Sequence, residues 1–147
     1  MTRLDELGEF GFIDRIRTGC VHRPEAVAVG IGDDAAAFRV EGGGLMLLTT
    51  DLLMEGVHFL RNRISAEDLG HKALAVNLSD IAAMGGRPGE AFVSIAVPPD
   101  CSLDYLEGLY EGMRDLAATH RVNILGGDTT ASLRDMVINV ALSGRVS

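Results

Sequence analysis

Residues 65–97 read SAEDLGHKALAVNLSDIAAMGGRPGEAFVSIAV. Ser65 followed by Ala66-Glu67-Asp68 is a capping-box-like start, in which a serine hydroxyl meets an amide left bare at a helix N-terminus. The run that follows is apolar nearly all round, as in a buried helix, and it stops at the Gly85-Gly86 pair. Residues 91–97 then read as a strand, closed by Pro98-Pro99. A long helix feeding a strand through a glycine turn is the unit around which the rest of the chain is arranged.

Outward from it, a second long helix is expected over residues 102–120, with Leu106, Leu109, Tyr110, Met113, Leu116 and Ala117 on one apolar stripe. Strands are expected at 122–125 and 136–143. Upstream, Leu7, Phe10, Ile13 and Ile16 have helical spacing within residues 5–17, although Gly8 and Gly11 weaken that helix. Strands are expected at 26–31, 35–40 and 45–50, with a short fourth at 57–59. The order predicts an α+β fold, a mixed β-sheet packed on two long helices, in one domain of 147 residues.

Composition narrows the function. Lys and Arg total 13 against 21 Asp and Glu, a formal charge of −8, which argues against a nucleic-acid or anionic-membrane surface. Cys20 and Cys101 lack metal-ligand spacing and read as free thiols. The opening residues Met1 to Glu6 lack the apolar core of a signal peptide, and no run approaches a membrane span, so a soluble cytoplasmic protein is expected.

The long helix carries Asn77 and Asp80 in its apolar middle, three residues apart and on one face. A solvated face would hold several long charged side chains, and residues 73–84 have none. A carboxylate aimed into a cleft, with Asn77 in support and a cation to compensate its charge, is the sharper reading. Three further stretches repeat the pattern of an acid after an apolar strand: GIGDDAA with Asp33 and Asp34, LLTTDLLMEGVHF with Asp51, and LGGDTT with Asp128. Singly these are ordinary turn vocabulary. Together they resemble ligand-bearing loops at a sheet edge. Carboxylates and hydroxyls suit Mg²⁺, and the glycines let backbone N–H groups approach phosphate oxygens. No P-loop or protein-kinase signature is present, and with no lysine beside these motifs the phosphate charge is left to metals.

The motifs GEFGFIDRI, GIGDDAA, LLTTDLLMEGVHF, KALAVNLSDIAAMG and LGGDTT resemble, in order and spacing across nearly the whole chain, the N-terminal domain of the thiamine-monophosphate kinases. These belong to an ATP-binding superfamily with aminoimidazole ribonucleotide synthetase, selenophosphate synthetase and a hydrogenase maturation factor. The resemblance implies ATP-dependent phosphorylation of thiamine monophosphate to thiamine diphosphate. It implies Asp34, Thr49, Thr50, Asp51, Asp80 and Asp128 as Mg²⁺ ligands, Tyr110, Gly127 and Asp128 as ATP contacts, and His58 as a thiamine-phosphate contact. Extended neighbours point opposite ways, so of Asp33 and Asp34 only one reaches a given metal, and Asp34 is expected. Tyr110 also fits plain core packing, and His58 a hydrogen-bonded strand residue. His22, His71 and His120 belong to no motif.

The acceptor is a phosphate, largely dianionic at neutral pH, so no general base is expected. The family pairs its N-terminal domains through their sheets in a homodimer and has a second domain, absent from this sequence, without which little turnover is expected. After Thr130 the chain continues Ala131-Ser132-Leu133-Arg134, where the family often has a small or basic residue and a glycine. Two other readings stay open: a synthetase of the same superfamily, or a non-catalytic dimerisation or cation-binding module.

Overall fold

Each of the two long helices begins on a serine whose hydroxyl meets an amide of the first turn. Ser65 Oγ accepts from the Asp68 amide at 3.0 Å, and Ser102 Oγ from the Tyr105 amide at 3.1 Å. A computed structural model describes residues 4–146; Met1 to Arg3, part of the stretch read for a leader, and the terminal Ser147 lie outside the described residues. The described elements are α1 (Leu4–Ile16), β1 (Val27–Val29), β2 (Ala36–Arg39), β3 (Leu45–Met54), α2 (Ala66–Ala83), β4 (Arg87–Val97), α3 (Leu103–His120), β5 (Asn123–Ala131) and β6 (Val137–Val146). The strands form one sheet in the order β1-β2-β3-β6-β4-β5. Only β4 and β5 are parallel, because α3 carries the chain back between them. The mixed-sheet α+β architecture is as the sequence predicts.

At the end of α2 the Gly86 amide reaches back to the Ile81 carbonyl and the Gly85 amide to Ala82, both at 2.9 Å. This double closure needs a left-handed residue, and Gly85 supplies it with φ 68°. The core lies on one face of the sheet. Leu47 and Leu53 of β3, Val93 and Ile95 of β4, and Ile138, Val140 and Leu142 of β6 pack with Leu69, Leu74 and Ile81 of α2 and Leu109 and Met113 of α3. Strand periodicity sends the alternate residues to the other face, where, among the described residues, no helix covers them. There Leu48, Leu52, Met54 and Phe92 remain 40–56% exposed.

Several boundaries differ from expectation. Strand β3 pairs with β6 without interruption from Leu45 to Met54, so Asp51 lies inside a strand and not beyond its end. Strand β5 likewise runs through Asp128. Ladder hydrogen bonds are indifferent to side-chain polarity, and an apolar run therefore understates a strand that carries a site. Residues 56–58 form a turn and not a strand, with only an isolated bridge between Glu55 and Phe59. Helix α1 is kinked at Gly8, and its expected apolar stripe does not reach the core: Phe10 is 82% exposed.

Candidate active site

Strand β3 directs Leu47, Thr49, Asp51 and Leu53 toward α2. Thr49 is buried, and its hydroxyl lies 2.7 Å from Asp80 Oδ2 and 3.2 Å from the Asp34 carbonyl. One side chain thereby ties three of the acidic motifs together. Burial raises the Asp51 carboxyl above the usual carboxylate range; the Asp80 charge raises it further, and His58 offsets part of the effect. Two carboxylates repelling each other in a half-buried site, with a hydroxyl and a carbonyl beside them, form an all-oxygen donor set that suits Mg²⁺. The residues present fit the ion.

Not every expected ligand joins this group. Thr50 faces the opposite side of the sheet, where its hydroxyl accepts from Asn139 Nδ2 at 2.7 Å. Asp33 Oδ1 accepts from the Asp34 amide at 2.9 Å and so serves the turn, while the Asp34 carboxylate stays exposed. Asn77 does not support Asp80. It is fully buried, its amide donates to the Ala73 carbonyl at 3.1 Å, and its Oδ1 has no partner. Among the described residues, no three His, Cys, Asp or Glu side chains converge on one ion.

Asp128 belongs to a second locus. Tyr110, Gly127 and Asp128 line one groove of about 500 Å³ with Arg114, Ile124 and Leu125. A Cβ on Gly127, whose φ is 151°, would stand 1.7 Å from the Val93 carbonyl, so only glycine fits this position. Tyr110 also packs on the core, and burial raises its phenol. Both readings of Tyr110 therefore hold at once. The cross-strand register puts Asp51 opposite Val140, Val140 opposite Val93 and Val93 opposite Gly127, one row across the sheet. Three strand spacings make that row ~14 Å long. A single ion cannot span it, and the buried side chains of Val140 and Val93 separate its two ends, so Asp51 and Asp128 belong to distinct loci.

The loop between β3 and α2 carries His58. Its Nδ1 accepts from the Met54 amide at 3.0 Å, which makes Nε2 the protonated nitrogen and leaves an N–H facing outward. Arg61 anchors the loop through Nε to Glu55 at 3.2 Å and through one terminal nitrogen to both Asp100 oxygens at 2.8 Å. Lys72 of α2 donates to the His58 carbonyl at 2.5 Å. The expectation that no lysine attends these motifs is overturned. Arg61 and Arg114 were missed because their neighbours here are distant in sequence, although for Arg114 the four-residue step from Tyr110 was an available signal; Lys72 opens the KALAVNLSDIAAMG motif, and that position was its signal.

Residues 32–146 match the family described as AIR synthase related protein, N-terminal domain. The chain belongs to this family. Two curated relatives are thiamine-monophosphate kinases. That of Bacillus subtilis is 41% identical over 140 residues, covering 95% of this chain and 43% of the relative. That of Aquifex aeolicus is 42% identical over 130 residues, covering 88% and 40%. Among solved structures, AaThiL complexed with AMPPCP and TMP superposes with a TM-score of 0.88 at 38% identity, over 99% of this chain and 44% of that one. A HypE–HypF complex, at 20% identity and TM-score 0.68, shares the family fold. The chain thus spans about two fifths of the length of the curated relatives it matches.

Proposed function

We propose that this domain binds Mg-ATP and thiamine monophosphate and forms the N-terminal part of a cytoplasmic kinase that makes thiamine diphosphate. The observation that carries the reading is the meeting of Thr49, Asp51, Asp80 and the Asp34 turn in one oxygen-rich cluster, with the groove of Tyr110, Gly127 and Asp128 as a second locus. A solved relative, 38% identical, was crystallised with a non-hydrolysable ATP analogue and TMP, which supports it. Asp51 and Asp80 with Thr49 would hold Mg²⁺ at the acceptor locus, the exposed Asp34 a further ion at its margin, and Asp128 a separate ion at the nucleotide locus. Bound there, the ions neutralise the repulsion between two phosphate anions and hold them in line.

The chain's own residues set up that encounter. Gly127 lets a phosphate approach the strand backbone, Tyr110 flanks the same groove, and the His58 Nε2–H is a donor for an acceptor oxygen. No residue needs to take a proton, since the attacking phosphate oxygen is already anionic. A second domain, as in the longer relatives, completes the site, and two copies pair through the uncovered sheet face.

The test is thermal denaturation with AMPPCP, with and without Mg²⁺, and then with thiamine monophosphate. A ligand at about 100 times its dissociation constant stabilises by roughly 2.7 kcal/mol. A Mg²⁺-dependent rise, increased again by thiamine monophosphate and not by aminoimidazole ribonucleotide precursors or selenide, is expected. No response to either ligand in a form that includes the second domain would reject the reading.

A further inference from the structure

Lys72 is the one lysine among 13 basic side chains; the other twelve are arginines. Its ammonium group donates to the His58 carbonyl, a neutral acceptor. Among the described residues it takes part in none of the ion pairs, which join Arg17 to Asp14, Arg61 to Glu55 and Asp100, and Arg134 to Asp135. Several arginines likewise join none of these pairs, so it is the position of Lys72 at the His58 turn that sets it apart. The Lys72 side chain is part-exposed on α2, so its ammonium can meet an anion arriving from solvent. An ammonium carries three N–H donors, and one is used.

The surroundings say which anion. Lys72 holds the turn that presents His58, whose free Nε2–H is a second donor. His58 is electrostatically coupled to Asp51, which is coupled in turn to Asp80. Of the two arginines in this loop, Arg61 is consumed by Glu55 and Asp100 and cannot serve, while the exposed Arg63 side chain makes no hydrogen bond to the His58 turn among the described residues. The ammonium and the imidazole N–H thus belong to one turn, whose histidine lies within electrostatic reach of Asp51 at the acceptor locus, where a phosphate dianion must arrive. We propose that Lys72, with His58, anchors the phosphate of the acceptor substrate. This rests on the reading of the site as one for thiamine monophosphate, and it adds a direct protein cation to a charge balance otherwise left to metals.

The single lysine makes the test selective. The chain is labelled with ¹⁵Nζ-lysine and titrated with thiamine monophosphate in Mg²⁺ while the ³¹P signal of the ligand reports binding independently. The lysine ammonium resonance is expected to shift and to saturate with the ³¹P change. Lys72→Gln is expected to weaken thiamine monophosphate at least tenfold, while leaving thiamine itself and Mg-AMPPCP within twofold of wild type. If the ³¹P signal saturates and the lysine resonance stays still, the proposal is overturned and the functional reading stands. Equal weakening of thiamine and its monophosphate would make Lys72 a strut for the His58 turn, and overturns the proposal as well. Absence of any thiamine monophosphate binding in a form that includes the second domain overturns both; where only that longer form binds, the Lys72→Gln comparison made in it decides the proposal.

Discussion

Asp51 sits where a strand interior, a neighbouring carboxylate and a helix meet. Its folded pKa lies above the ordinary value of 3.8, with burial the larger cause and Asp80 the second. The folded chain therefore holds this proton more tightly than the unfolded chain. Linkage then gives the sign: stability from this residue is greatest below 3.8 and declines as pH rises through the folded value. As both carboxylates ionise, the metal-free chain takes on their mutual repulsion. Asp51→Asn is expected to raise the metal-free melting temperature, to flatten its fall between acid and neutral pH, and to abolish the gain from Mg²⁺ with AMPPCP. Calorimetric scans across that range check all three. A melting temperature lowered by the substitution would contradict the repulsion argument.

At the scale of elements, the contact between α2 and α3 depends on glycines that the apolar stripes alone do not reveal. A Cβ on Gly112 would stand 1.9 Å from the Glu67 carbonyl oxygen, and one on Gly70 would stand 1.8 Å from that of Leu109. In each case the obstacle is backbone, which cannot rotate aside. Gly112→Ala is expected to cost about 3 kcal/mol, the upper part of the usual range for overpacking. Because α2 carries both Asp80 and Lys72, separation of the helices also moves the site. Urea denaturation should show the loss, and a midpoint within error of wild type would mean that the helices slide apart freely.

The whole molecule has one face of its sheet packed by helices and one left bare. Leu48, Leu52, Met54 and Phe92 lie on the bare face with 40–56% of their surface exposed, an apolar patch that an isolated domain gains nothing by showing to water. A second copy applied to this face would bury it. Sedimentation is expected to report a dimer in the micromolar range, and Phe92→Glu to return a monomer with its melting temperature little changed. A wild-type monomer at high concentration would count against sheet-to-sheet pairing.

Helix periodicity, serine caps and the Gly85-Gly86 stop are local properties, so α2, α3 and the α+β class follow from sequence alone. The carboxylate motifs were legible too, since Gly-Asp and Thr-Thr-Asp depart from the apolar context around them. Strand ends were less so, because β3 and β5 are held by ladders to distant partners that carry their polar residues along. The division of the acidic residues into two loci was decided only by register: Asp51 and Gly127 share a row through Val140 and Val93, which no spacing along the chain encodes. Likewise Thr50 turned away, Asn77 was lost to the core, and Lys72 came to His58 across fourteen positions. Local sequence determined what each segment would become and which chemistry it carried. Long-range pairing determined which of those groups meet, because contact across a sheet or between helices depends on partners remote in the chain.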